Sequence, residues 1–75
     1  MNVDDVRRKL EAEFAPCRVF SSSGHEYVVT HPDCVLVGPY SVALLDRDGF
    51  MVTLGHDHIV AIKDEPLKKN GLKKR

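Results

Sequence analysis

The sequence predicts a mainly β domain: an N-terminal helix followed by about five short antiparallel strands that curl into a small barrel. Three observations predict it. Between Arg18 and Ile62, short apolar runs alternate with clusters of turn-forming residues, among them Ser22-Ser23-Gly24, His31-Pro32-Asp33, Gly38-Pro39 and Asp46-Arg47-Asp48-Gly49. Only the residues ahead of Pro16 carry an apolar stripe at helical spacing. Every connection is tight, and closing a sheet of short strands on itself removes exposed edges. A flat antiparallel sheet with the helix packed on one face is the alternative arrangement.

The first element is a helix over about residues 3–14. Asn2 suits its N-cap, Asp4 and Asp5 complement its positive end, and Val3, Val6, Leu10 and Phe14 fall close to one face. Pro16 ends it, because the ring removes a donor and biases Ala15 away from helical angles. A helix this short is marginal in water, so the stripe must pack across the barrel mouth or on a sheet face. Cys17–Ser21 reads as the first strand, and Gly24 can take the positive φ of the hairpin that follows. From His25 the chain is rich in β-branched and aromatic residues until His31-Pro32-Asp33 interrupts it, and Cys34–Val37 then resumes. Proline donates nothing to a ladder, so this is one long bent strand or two strands meeting at Pro32. Tyr40–Leu45 and Phe50–Leu54 form a hairpin across a type I turn closed by Gly49 in the left-handed region. Gly55-His56-Asp57 is a short break before the last strand, His58–Ile62, and Pro66 ends the ordered domain.

At 75 residues the chain is one domain, small enough for a staple or a partner to matter to its stability. Its net charge of zero conceals a split. Residues 1–66 carry six basic and eleven acidic side chains, a net −5, whereas the tail 67–75 holds Lys68, Lys69, Lys73, Lys74 and Arg75 and no acid. Read functionally, the tail is a nucleic-acid arm, since clustered cations displace counterions from phosphates. Read structurally, it is a solvated terminus resting near an acidic body. The N-terminus has neither the basic start nor the apolar run of a signal peptide, and no run is long enough to span a bilayer. These features predict a cytoplasmic protein without membrane contact, in which Cys17 and Cys34 are reduced core residues.

Two resemblances enter here. Pro16-Cys17-Arg18, the segment from Gly24 through Tyr27 and Val29 to His31-Pro32-Asp33, and His58-Ile59-Val60-Ala61-Ile62 resemble a group of small uncharacterised bacterial proteins over most of residues 14–62. That resemblance implies no particular activity. More broadly, the helix, the glycine-marked hairpin at Gly24, Asp33 and the short link from Gly55 to Ile59 resemble the layout of Sm-like proteins, which implies a small Sm-like barrel. Val29 stands where a second glycine is usual there, no asparagine follows Asp33 in Val35–Val37, and the Lys-x-His of bacterial Sm-like proteins corresponds to His56-Asp57-His58.

Four histidines and two cysteines raise a metal reading, because His31-x-x-Cys34 has ligand spacing and His56-x-His58 shares one face when extended. Structurally, His31 instead bonds backbone at the bend and Cys34 fills a small core position. Thiols inside apolar strands are inert, and Asp46 and Asp48 are accounted for by their turn, so no catalytic residue is assigned. The sequence thus predicts a non-catalytic binding or assembly module without a cofactor, pairing through an edge strand with itself or with another protein. The alternatives are an Sm-like RNA or nucleic-acid binder using the tail, and a metal-binding protein using His31, Cys34, His56 and His58.

Overall fold

A computed structural model describes residues 1–46 and 48–65. The expected helix forms as α1, Val3–Arg7, continued by a π-helical turn over Arg8–Ala12. Asn2 caps it as its sequence position predicts, its side chain accepting from the Asp4 amide at 2.7 Å. The wider turn shows in the Glu13 amide, which bonds the Arg8 carbonyl at 2.8 Å, five residues back. Val6 and Leu10 are the buried members of the stripe.

Six strands follow among the described residues: β1 Cys17–Ser21, β2 Glu26–Val29, β3 Val35–Val37, β4 Ser41–Leu45, β5 Met51–Gly55 and β6 Ile59–Asp64. Both hairpin glycines adopt positive φ, +92° at Gly24 and +90° at Gly49. At the second turn the Asp46 carboxylate also accepts from the amides of Asp48 and Phe50, at 2.9 and 3.2 Å.

The strands pair as two three-stranded antiparallel sheets, β2-β1-β6 and β3-β4-β5. This corrects the expectation of about five strands closed into one barrel: among the described residues no ladder joins the two sheets. The cause lies at two breaks. At the first, Pro32–Cys34 forms a 3₁₀ turn, so the segment that read as one bent strand or two is two. At the second, His56–His58 forms another 3₁₀ turn between β5 and β6. Around that turn, single bonds replace a ladder: the Ser22 amide donates to the His58 carbonyl at 2.7 Å and the His56 amide to that of Tyr40 at 3.2 Å.

One interior serves both sheets and the helix. Val6, Leu10, Cys17, Val19, Val29, Val37, Val42, Leu44 and Ile59 form a single buried cluster. Along β1 the alternation is strict: Cys17, Val19 and Ser21 point inward while Arg18 and Phe20 are half-buried on the outer face. The β2 pattern, which the sequence leaves open, resolves with Val29 inside and Thr30 exposed. No aromatic ring is fully buried, and Tyr40 and Phe50 are exposed.

Truncating Leu44, which is 0 % exposed, should therefore cost about 2–5 kcal/mol as Leu44→Ala, read as a shifted urea midpoint. Tyr40→Ala, at an exposed position, should leave that midpoint within about 0.5 kcal/mol of wild type.

Candidate interaction edge

The residues with metal-ligand spacing occupy different surroundings. His31 caps the 3₁₀ turn, its Nδ1 accepting from the Asp33 amide at 3.1 Å, which is the structural role open to it in the sequence. Cys34 packs half-buried against the core. His56 is buried, with Nε2 2.7 Å from the Gly38 carbonyl oxygen. Because a carbonyl only accepts, Nε2 carries the hydrogen, and the buried Nδ1 has no partner among the described residues. His58 is exposed, its Nδ1 3.2 Å from the Ser22 hydroxyl. Among the described residues, no three His, Cys, Asp or Glu side chains form a group that could hold a metal ion. Lys68, Lys69, Lys73, Lys74 and Arg75 lie outside the described residues.

The outer faces of the two sheets differ in chemistry. On β2-β1-β6, Arg18 reaches Glu65 through Nε and Nη2, at 3.1 and 2.9 Å, and Glu26 through Nη1 at 2.7 Å. These bonds, with that to Glu65 foremost, hold the guanidinium still more firmly in its charged form. Lys63 sets its ammonium 5.5 Å from the Phe20 ring centre. A cleft of about 340 Å³ opens beside Arg18, lined also by Glu26, Tyr27, Asp46 and Asp48.

The outer face of β3-β4-β5 is apolar. Leu36 lies opposite Ala43, Ala43 opposite Thr53, and Leu45 opposite Met51. Leu36 is 70 % exposed and Met51 68 %, and with Cys34, Ala43 and Leu45 they line a shallow hollow of about 140 Å³. Phe50, 69 % exposed, stands immediately ahead of Met51.

Among the described residues four strands lie at sheet edges, and three of them carry features that discourage further pairing. β2 begins with the charged Glu26 and β6 ends in Lys63 and Asp64. β3 has only three residues, with Pro32 and Pro39 close on either side. β5, Met-Val-Thr-Leu-Gly, has no charge and no proline. Its free hydrogen-bonding groups follow from the bonds at its two ends. The Asp46 amide donates to Phe50 and the His56 amide to Tyr40, so position 50 and position 56 face β4. Antiparallel strands alternate, which places Val52 and Leu54 toward β4 and the backbone groups of Met51, Thr53 and Gly55 on the open side. Sequence reading does not isolate this edge, because Met51, Val52, Thr53 and Leu54 all suit either face. The one available signal is that Met51, Thr53 and Gly55 share a parity in which the last position has no side chain.

The two thiols also separate chemically. Burial, reinforced by the Asp64 charge and opposed by Lys9, pushes the Cys17 thiol up to about 11. Iodoacetamide at mildly alkaline pH should therefore label Cys34 alone, with Cys17 reacting only after denaturation, as intact mass would show. The unfolded chain gives up the Cys17 proton at lower pH than the folded one. Stability from this group is thus complete below the ordinary thiol range and should be lost as pH rises through it toward 11, measured by denaturant midpoints.

Against known proteins, no family model matches the chain, and neither curated proteins nor solved structures give a match.

Proposed function

We propose that this chain is a non-catalytic protein-interaction module that takes up an extended partner strand along β5. The carrying observation is the open side of Met51–Gly55, an uncharged, proline-free edge beside an exposed apolar face. Unfilled backbone donors and acceptors supply affinity in this mode, and pockets for alternate side chains supply selectivity. The hollow between Leu36, Leu45 and Met51 lies one strand inward, within reach of a side chain from an added strand. A layout similar to that of Sm-like proteins, without closure of the two sheets into one barrel, is part of the same reading, supported by the N-terminal helix, the break at Pro32 and the short 3₁₀ link before β6. A reducing, cytoplasmic setting is proposed with it, supported by Cys17 and Cys34 standing as free thiols.

A random peptide library selected on immobilised protein tests the reading. Selected peptides should be extended and β-branched, should slow amide exchange at Met51, Thr53 and Gly55, and should bind Thr53→Pro about tenfold more weakly. Proline at position 53 removes an outward amide and no bond to β4, so the domain keeps its own ladder. Peptides that bind while leaving those three amides exchanging as in the free protein would overturn the proposal.

A further inference from the structure

We infer that the strand taken up along β5 is β5 of a second copy, paired antiparallel about a two-fold axis at Thr53. This rests on the reading of β5 as the recruiting edge and adds the identity of the partner and the register.

The argument is the self-complementarity of the strand. Only Met51, Thr53 and Gly55 present backbone groups outward, and reversing the strand about Thr53 maps this set onto itself. Thr53 then faces Thr53 of the second copy, that pair exchanging both of its backbone bonds, and Met51 faces Gly55, whose carbonyl also serves the 3₁₀ turn that it caps. Any register shifted by one residue would set an outward group against an inward one.

The side chains agree with the backbone. Exposed Met51 and Thr53 alternate with half-buried Val52 and Leu54, so the two-fold sets Val52 beside Leu54 on the core side. On the outer side, long Met51 lies beside a residue with no side chain. A Cβ at Gly55 would come within 2.8 Å of the Asp57 carboxylate oxygen, the end of an exposed side chain. At the axis, two threonines form a favourable cross-strand pair, and no charge meets its own copy within the strand.

The sheets would join as one six-stranded sheet, and the apolar row of Leu36, Ala43 and Thr53 would run unbroken across the axis. The other edges do not offer this. A two-fold on β6 brings Lys63 and Asp64 into the new ladder, and β3 has too few residues.

A charge exchange at the axis provides the test, because a residue on a two-fold opposes itself. Sedimentation should show wild-type dimers at tens of micromolar. Thr53→Lys and Thr53→Glu should each be monomeric, and an equimolar mixture of the two should recover a heterodimer with at least tenfold tighter association than either alone. Circular dichroism of each variant establishes that it is folded. In a Cys34→Ala background, Thr53→Cys should form an interchain disulfide under oxidised glutathione. Met51→Cys should not, since its two copies would stand about 14 Å apart along the ladder. A wild-type monomer would overturn the second-copy inference while leaving the peptide selection to judge β5 as a recruiting edge. Dimers that tolerate both charge variants, or that cross-link through position 51 rather than 53, would overturn the register.

Discussion

Neither three-stranded sheet can bury its own apolar face, and the rest of the structure depends on their sharing one interior. Three strands with an apolar side need a covering layer to be stable in water. Here the inward rows of the two sheets supply it for one another, and Val6 and Leu10 of the helical segment complete it. The interior is filled mainly by valine, leucine and isoleucine, small enough to interdigitate across strands of only three to six residues. Aromatic rings stay at the margin for the same reason: a cavity between such short strands does not enclose one.

Once the inner faces are committed, the outer faces are free to diverge. That of β2-β1-β6 carries paired charges among apolar side chains, with Arg18 held between Glu26 and Glu65 and Lys63 lying over Phe20. That of β3-β4-β5 stays apolar, with Leu36, Leu45 and Met51 in the open. A small monomer gains nothing for its own stability from such a surface. The unblunted edge lies on this sheet and not on the charged one, so both features point to the same side of the molecule.

Much of this was legible in the residues themselves. Asn2, Gly24, Gly49 and Asp46 each do locally what their chemistry specifies, because a cap or a turn is decided by a few adjacent residues. Pro32 was legible as an interruption, though whether it bends a strand or divides one depends on partners far along the chain. The inner faces of β2 and β5 were not legible, since Tyr27-Val28-Val29 and Met51-Val52-Thr53-Leu54 offer apolar or β-branched side chains on both parities. The metal reading shows the same limit. Spacing placed His31 near Cys34 and His56 near His58, but only the turns could decide their surroundings, and each histidine met a different set of neighbours.

Arg18 and Glu65 are 47 positions apart in the chain, and β1 cannot gain its second neighbour until the two are brought together. The β3-β4-β5 meander is local and closes over short turns, whereas β1–β6 pairing bears a loop entropy that no nearby contact offsets. Before that closure, β1 and β2 are a lone hairpin, marginal by itself in water. Loop closure accordingly favours the apolar-faced sheet ahead of the charged one. A folding barrier set by laying down β6 would make the folding rate sensitive to substitutions at Ile59 or Ile62 and far less so to those within the β4–β5 turn.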